Sequence, residues 1–423
     1  MHDQSERKVK VIQTRLTNIV ARSGLDRIPD EILACIFESG HAMEDQYFFS
    51  LTVSHVCRRF RDVALKTPYL WTRINGKIKR RLIRTFLARS AMLDLDISFP
   101  STSESTRGIE KYFDIVKPHS RRWSHITLNY PPFCLHSRIH SLPSLPRLRY
   151  LQCHCTVISF QLPAMPSLLH YKGNIMTLPR SPSLVICELN FIIRVKPARL
   201  VSTLYELKNL RHLSLSFNES SAEPWVEDVQ TYQTKLPLKS LFLSSTNMAP
   251  SNIIPVICAI LPFHPISKLT VAVVGNRVND LWMNNDDHSF PYPASDIAIE
   301  TLPLKFNPDV QVEPFDILTR VLRGTGAHTI SIDSSLAHFI PRDAGFKSAR
   351  DAPWMSYASL CKLRLKNCDE LYEWQVKMFT DKLVSSEEGK GLQSLEILSC
   401  KNISEGFLLN LEDVLGSKLT WAI

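Results

Sequence analysis

The N-terminal part of the chain is organised around the segment Leu25-Asp26-Arg27-Ile28-Pro29-Asp30-Glu31-Ile32-Leu33, which predicts the start of a helix. Pro29 suits an early helical position, because its missing N–H is not needed there. Asp30 and Glu31 then fall in the first turn, where the helix dipole favours negative charge. The predicted apolar face comprises Ile28, Ile32, Leu33, Ile36 and Phe37. Gly40 stands where such a helix would end.

A second helix is predicted from Phe48 to about Lys66, because apolar residues recur there at intervals of three and four. These residues are Phe49, Val53, Val56, Cys57, Phe60, Val63 and Ala64. Pro68 ends the helix, since the residue before a proline is pushed away from helical dihedrals. Leu70 and Trp71 follow as large apolar anchors.

These motifs, in this order and spacing, resemble an F-box, and most closely the F-box-like form abundant in mushroom-forming fungi. They read Ile28-Pro29-x-Glu31-Ile32-Leu33-x-x-Ile36-Phe37, then Val56-Cys57-Arg58-Arg59-Phe60-x-x-Val63-Ala64, then Pro68-x-Leu70-Trp71. The family pattern usually reads Leu-Pro-x-Glu-Ile-Leu, Val-Cys-Arg-x-Trp and a closing Trp. Ile28 therefore replaces the usual Leu, and Phe60 replaces the usual Trp. The resemblance covers residues 25–75.

The resemblance implies a compact helical module that binds the Skp adaptor of an SCF (Skp–cullin–F-box) ubiquitin ligase and, through it, cullin. Residue by residue, it assigns Skp binding to Ile28, Pro29, Ile32, Leu33, Ile36, Phe37, Val56, Cys57 and Phe60. A module of ~50 residues has little core of its own, so a partner is expected to complete the burial. Each of these side chains could equally be internal core, because periodicity does not show what covers an apolar face.

From Leu95 onward, short apolar segments recur between prolines and polar residues. They are Leu95–Ile97, Ile126–Leu128, Leu148–Cys153, Leu184–Phe191, Leu210–Leu215, Leu238–Leu243, Ile266–Val273, Ile330–Ile332, Leu360–Leu365 and Leu392–Leu398. Several follow the leucine-rich-repeat pattern Leu-x-x-Leu-x-Leu-x-x-Asn/Cys. In that pattern Asn218, Cys368 and Cys400 occupy the final position. Leu213, Leu241 and Leu269 are 28 residues apart, which fits a strand plus a helix in each repeat.

The predicted fold class is therefore α/β: a small N-terminal helical F-box at residues 25–75, followed by an irregular leucine-rich-repeat-like α/β solenoid over residues 90–423. Residues 1–24 have helical apolar spacing and predict an N-terminal amphipathic helix or tail. Residues 275–314 are rich in Asn, Asp and Pro and predict a loop insertion in the solenoid.

In such a solenoid, residues between the inward leucines of a strand face solvent. Lys362, Arg364 and Lys366 would then line one exposed strand, and we expect them to bind the target protein. The sharper hypothesis is a docking site for an acidic or phosphorylated target. The alternative is an ordinary solvent-facing strand of mixed charge.

The chain has 423 residues, a net charge of +9 and a pI of about 9.0. Its most basic segment is Lys77–Arg89, which carries no acidic residue. The segment could contact nucleic acid or an acidic partner, or it could be a solvated helix face. Basic and acidic residues are otherwise intermixed, so nucleic acid is not the partner that we expect.

Catalytic motifs are missing from the sequence, including phosphate-binding glycine loops, nucleophile elbows and His-Glu-x-x-His. Cys153-His154-Cys155 and Cys134-Leu135-His136 lack the wider Cys-x-x-Cys spacing of zinc sites. We therefore expect no enzyme, catalytic residue, metal, cofactor or small-molecule substrate. With no apolar run of ~18 residues and no signal-peptide core, we expect no membrane partner and an intracellular location, cytoplasmic or nuclear, with reduced cysteines.

These features predict a non-catalytic adaptor that recognises the substrate of an SCF ubiquitin ligase. The F-box would bind Skp, and the repeats would bind an unknown target. One alternative is an interaction scaffold whose F-box serves assembly without ubiquitylation. Another is a basic nucleic-acid-binding protein, which depends on the Lys77–Arg89 segment.

Overall fold

A computed structural model describes most of the chain, in separate ranges. These are residues 27–43, 48–99, 106–128, 138–153, 162–191, 197–218, 236–246, 266–274, 294–302, 315–316, 327–335, 337–338, 360–369, 371–384 and 392–423. The predicted helix or tail at residues 1–24 lies outside them. No helix within these ranges is both long and apolar enough to cross a membrane.

The chain divides into two compact units, residues 1–151 with 163–165 and residues 152–162 with 166–423. Among the described residues of the first unit, the first elements are helices α1 (Asp30–Met43), α2 (Phe48–Val56) and α3 (Arg58–Lys66), followed by a 3-10 turn at Pro68–Trp71. Contrary to the prediction, Gly40 does not end α1, which continues to Met43. A Cβ at Gly40 would collide with the ring of Phe49, so the glycine permits a close approach of α2.

The single helix predicted from Phe48 to Lys66 is wrong, because the chain breaks at Cys57. Cys57 adopts an extended conformation (φ −155°, ψ 174°), and its Sγ accepts a hydrogen bond from the Phe60 N–H at 3.4 Å. Arg61 Nε donates to the Ser54 carbonyl at 3.0 Å, so a side chain of α3 satisfies a carbonyl near the end of α2. Apolar periodicity continues across the break, and the sequence pattern therefore hides it.

The rest of the first unit alternates strands and helices. In chain order these are β1 (Arg73–Asn75), α4 (Arg80–Arg89), β2 (Leu95–Phe99), α5 (Thr106–Val116), a 3-10 helix (Lys117–Arg122) and β3 (Trp123–Leu128). β1 pairs in parallel with β2, and β2 with β3. β4 (Tyr150–Cys153) lies at the boundary between the units.

The predicted domain boundary between residues 75 and 90 does not coincide with the boundary of the compact units. The rings of Trp71 and Phe86 meet edge to face at 4.9 Å between centroids. The Tyr112 hydroxyl donates to the carbonyl of Ile74 at 2.9 Å. Large side chains on both sides of the predicted boundary therefore share one core, and cutting there would expose it.

The second unit consists mainly of parallel strands. They are β5 (His170–Gly173), β6 (Ile186–Phe191), β7 (His212–Asn218), β8 (Ser240–Thr246), β9 (Ile266–Val274), β10 (Ala294–Leu302), β12 (Thr329–Ser334), β14 (Lys362–Lys366), β15 (Ser394–Leu398) and β16 (Leu419–Ala422). Each pairs in parallel with the next. Short strands β11 (Phe315–Asp316) and β13 (Ala337–His338) form a separate pair. The helices are α6 (Pro197–Tyr205), α7 (Glu373–Val384) and α8 (Glu405–Leu415), with 3-10 turns at Ile175–Thr177 and Gly416–Lys418.

The strands are in register, so that buried apolar residues form a continuous row. The row runs through Cys187, Leu213, Leu241, Leu269, Ile297, Ile330, Leu363 and Leu395. The apolar side chains of each strand therefore pack beside those of the next strand on the same face of the sheet. The apolar segments predicted from Leu95 onward all overlap strands. The mixed α/β class with N-terminal helices and parallel strands is confirmed; the leucine-rich-repeat solenoid stays a prediction.

The predicted loop insertion at residues 275–314 is wrong over β10. Ile297 and Ile299 are buried there and alternate with Asp296 and Glu300, as in an ordinary half-buried strand. The preceding cluster of Asn, Asp and Pro concealed this short alternation. The remaining residues of that range lie outside the described residues.

Candidate functional site: an exposed apolar face on the N-terminal helices

Helix α1 carries apolar side chains on two sides. Leu33 and Phe37 are buried, with 1% and 4% of their surface exposed. Ile32 and Ile36 are each 50% exposed and stand one turn apart on the same side of the helix. Burying the first pair explains why α1 packs on its neighbours. The exposed half of the second pair is not removed from water, so it contributes no hydrophobic free energy to the fold.

More exposed apolar groups lie at the turn between α2 and α3. Val56 is 61% exposed, and Cys57 is exposed beside it. Phe60, one turn into α3, is half-buried and its ring packs at 60° on Phe37, with 5.0 Å between centroids. At the start of α1, Pro29 is exposed and Ile28 is half-buried.

Arg59 joins the α2–α3 turn to the start of α1. Its Nε and Nη2 both lie 2.8 Å from the Asp30 carboxylate oxygen Oδ1, and its guanidinium also donates to the carbonyl of Ile28. Such charge-assisted bonds fix orientation as well as distance. Arg59 thereby brings the turn that carries Val56 and Cys57 to the start of α1, which Pro29 immediately precedes.

We use the term exposed apolar face for Pro29, Ile32, Ile36, Val56 and Cys57. The predicted Skp-binding residues therefore separate into three groups: the exposed apolar face, the half-buried Ile28 and Phe60, and the buried Leu33 and Phe37. Sequence reasoning missed Arg59 as a positioning residue. The only signal for it was an arginine in the second motif and an aspartate in the first.

The interior of the module holds a histidine that the sequence did not single out. His41 is fully buried, and within the described residues neither ring nitrogen has a hydrogen-bond partner. Its ring meets Tyr69 edge to face at 5.4 Å, and Arg73 donates to its backbone carbonyl. Burial, together with the charge of Arg73, lowers the pKa of His41 to about 4. The imidazole is therefore neutral at pH 7.

Trp71, at the C-terminal end of the F-box motifs, packs into the core of the module. Its indole is fully buried, and Nε1 donates to the carbonyl of Ala64, near the end of α3, at 2.9 Å. The Arg89 guanidinium lies 4.5 Å from the centre of its ring. The hydroxyl of Ser50 in α2 donates to the carbonyl of Leu70. These contacts tie α2 and α3 to the closing motif.

This arrangement has a counterpart among known protein families. A family model described as F-box-like matches residues 25–77. The chain contains an F-box-like domain. F-box domains typically mediate protein interaction as non-catalytic SCF adaptors and bind Skp. The exposed apolar face lies within the matched residues. A comparison with curated proteins found no match.

The predicted target-binding residues lie together on β14, with Lys362 and Arg364 exposed and Lys366 half-exposed. Two of them are paired with neighbouring strands. Lys366 Nζ lies 2.9 Å from Oδ2 of Asp333 on β12, and Arg364 Nε lies 3.2 Å from Oε2 of Glu396 on β15. The expected row of cations is therefore largely compensated within the chain.

A second set of pairs lies on β5–β8 of the same unit. The Glu188 carboxylate contacts His170 Nε2 at 2.8 Å and Lys172 Nζ at 2.9 Å. The hydrogen bond from His170, followed by that from Lys172, lowers the pKa of Glu188 to about 2. His212 Nδ1 lies 2.7 Å from the Ser240 hydroxyl. These contacts are lateral pairs on a strand surface.

Cys187, Cys368 and Cys400 of the strand unit act as small buried side chains. Cys368 Sγ lies 3.7 Å from the Ile332 carbonyl, and Cys400 Sγ lies 3.8 Å from the Leu365 carbonyl, each on a preceding strand. Burial raises the pKa of Cys187 far above its usual range. Within the described residues no group of His, Cys, Asp and Glu is arranged to hold a metal. Residues 134–136 and 154–155 lie outside those residues.

Proposed function

We propose that this protein is the substrate-recognition adaptor of an SCF ubiquitin ligase. Its F-box-like domain binds the Skp adaptor and, through it, cullin. Its strand unit, a leucine-rich-repeat-like surface, binds the target. No residue of this chain performs chemistry; it raises the effective concentration of target lysines near the ubiquitin donor. The half-exposed pair Ile32 and Ile36 carries the proposal, because the helix is already packed through the adjacent stripe that contains Leu33 and Phe37.

The energetics of that pair support a partner. Burying an isoleucine side chain completely contributes roughly 1.5–3 kcal/mol, so covering the exposed half of each contributes about 1 kcal/mol. Val56 and Pro29 add further apolar surface at the edge. A partner helix laid across such a face would gain this energy without any change in the domain's own core.

The burial of individual residues sharpens their proposed roles. The exposed apolar face would contact Skp directly, with Ile28 and Phe60 at its edge. Leu33 and Phe37 would act indirectly, because they hold α1 against α3 and so present Ile32 and Ile36. Arg59 would position the α2–α3 turn in the same way.

Target binding is the second part of the proposal. Lys362, Arg364 and Lys366 would be among the target contacts, together with the acidic partners Asp333 and Glu396. A surface of paired charges favours a target segment that offers both charges and hydrogen bonds, rather than one that is only acidic. The likeness to the fungal F-box-like form and a cytoplasmic or nuclear location belong to the proposal as well.

Co-purification with the Skp adaptor tests the first part. An Ile32→Asp/Ile36→Asp variant places two carboxylates on the proposed interface at exposed positions, so the fold should remain by circular dichroism. The matched control is Leu409→Asp/Val414→Asp, the same chemical change on exposed apolar positions of α8. We expect the first variant to lose Skp and the control to retain it.

Three other outcomes would contradict the proposal in different ways. A folded intact chain that binds no Skp would eliminate the ligase role. Equal loss in both variants would show that the exposed apolar face is not the interface. Skp binding without cullin-dependent ubiquitin transfer, in a reconstituted reaction scored on the adaptor and its bound proteins, would indicate an interaction scaffold instead.

A further inference from the structure

A cleft of about 680 Å³ lies between helices α4 and α5, on elements outside the exposed apolar face. Its rim carries Arg80 and Arg84 from α4 and Lys111 from α5, all of them exposed. Its aliphatic floor is the buried Leu87, with the half-buried Ile115 and the exposed Ala88 lining the cleft beside it. A second cleft of about 720 Å³ shares Arg84 and Ala88 and adds Arg81. We call these two clefts the basic groove.

The cations of the basic groove are uncompensated. Helix α4 contains no acidic residue, and no acidic side chain of the described residues pairs with Arg80, Arg81, Arg84 or Lys111. Asp114 also lines the groove, but its carboxylate is paired with Arg138 at 2.7 Å. This differs from β14, whose cations are paired along the sheet. The positive charges of the basic groove repel each other, and an anion bound between them would reduce that repulsion.

His119 adds little to this charge. Burial, and next the nearby Arg122, lower the pKa of its imidazole, so it is neutral at pH 7. The attraction for an anion therefore comes from the guanidinium groups of Arg80 and Arg84 and the ammonium group of Lys111.

We propose that the basic groove binds an acidic peptide segment of a partner protein, with carboxylates on Arg80, Arg84 and Lys111 and an aliphatic side chain on the floor. Arg80 and Arg84 are one helical turn apart, about 5–6 Å between Cβ atoms. Alternate side chains of an extended peptide are separated by a similar distance, about 6.5–7 Å. One extended segment can therefore place a carboxylate on each arginine.

The lining favours a peptide over nucleic acid. It contains no Phe, Tyr or Trp on which unpaired bases could stack, and its one aromatic ring, the imidazole of His119, is half-buried. Base–aromatic stacking is a main source of affinity for single strands. Its floor is made of aliphatic groups, which suit a leucine or valine side chain. The inference does not depend on Skp binding, because the groove shares no residue with the exposed apolar face.

Fluorescence anisotropy on the full-length chain tests this inference. The probe is a labelled peptide of repeated Glu-Glu-Leu, compared with a Lys-Lys-Leu peptide and a single-stranded DNA of about 20 nucleotides. The groove variant is Arg80→Glu/Arg84→Glu. The control is Lys208→Glu/Lys377→Glu, which makes the same change in net charge at exposed positions of the other unit.

We expect the acidic peptide to bind the intact chain, more weakly as salt rises from ~0.05 M to ~0.15 M. The groove variant should weaken binding about tenfold, and the control by less than about twofold. Circular dichroism of both variants separates this loss from unfolding. No binding by the intact chain, or equal weakening in both variants, would overturn the inference. Tighter binding of the DNA, lost in the groove variant, would assign the groove to nucleic acid instead.

Discussion

Two exposed surfaces of this protein differ in how far the chain itself satisfies them. On the exposed apolar face, Ile32, Ile36 and Val56 stand in water although other residues of the same helices are fully packed. On β14, Arg364 and Lys366 are matched by acidic residues of the neighbouring strands. The first surface can gain free energy only from another molecule. The cations of the second surface are already compensated in part by acidic residues of the same chain.

The difference shows that exposure alone does not identify an interaction site. Exposed ion pairs contribute at most about 1 kcal/mol each. Exchanging them for ion pairs with a target would therefore add little to the free energy of binding. Exposed apolar area contributes in proportion to the area that a partner covers. The comparison can be tested by measuring which residues stabilise the fold and which do not.

Neighbouring residues of α1 provide the test with the largest expected effect. Leu33→Ala should lower the free energy of unfolding by about 3 kcal/mol, because it leaves a cavity at a buried position. Ile32→Ala should change it by less than about 0.5 kcal/mol, because the side chain is half in water. Hydrogen exchange of the α1 amides measures both. Similar losses in the two variants would mean that Ile32 is core and that the exposed apolar face does not exist as described.

A pH titration of stability tests the buried interior of the same module. The folded pKa of His41 is about 4 and the unfolded value is 6.5. As pH falls from 6.5 to 4, His41 therefore binds a proton in the unfolded chain but not in the folded chain. The difference in pKa should thus leave the free energy of unfolding unchanged above pH 6.5 and lower it by about 3 kcal/mol near pH 4, since each pKa unit corresponds to about 1.4 kcal/mol.

Comparison with variants isolates that contribution from the carboxylates that titrate over the same range. His41→Leu should lose the extra destabilisation at low pH, whereas His55→Leu, at an exposed histidine of α2, should keep it. Urea unfolding at pH 7 and pH 4.5 measures the difference. Parallel pH curves for the intact chain and His41→Leu would show that His41 is accessible to water.

Arg59 sharpens the comparison at the edge of the exposed apolar face. Arg59→Ala should lower the stability of α1 by about 1 kcal/mol, because it removes partly exposed charge-assisted hydrogen bonds to Asp30 and Ile28. Arg58→Ala, at the neighbouring exposed position, is the control and should have little effect. Hydrogen exchange at the start of α1 reports the result. Equal effects would indicate that Arg59 does not hold the turn.

The smallest effect is expected on the strand surface. A double-mutant cycle of Arg364→Ala and Glu396→Ala should give a coupling energy of about 0.5 kcal/mol, as for other exposed pairs. Thermal unfolding of the four proteins measures it, and added salt should reduce it further. A coupling above about 2 kcal/mol would mean that this surface depends on its ion pairs far more than its exposure suggests.

Local patterns predicted most of the elements. The spacing of apolar residues located α1 and the strands β2–β4, β6–β9, β12, β14 and β15. It failed where the same spacing fits two structures, as at Cys57, or where a polar cluster masks a short alternation, as at β10. It also placed the Skp-binding candidates in one group, although Leu33 and Phe37 are buried and Ile32 and Ile36 are not.

The sequence by itself determined the F-box resemblance and the alternation of inward and outward residues on each strand. Both depend on periods of a few residues, which the chain carries locally. Only the tertiary structure decided which side of α1 stays in water, that Arg59 reaches Asp30, and that the β14 cations find partners. Those outcomes depend on residues about 30 positions apart, brought together when the cores close.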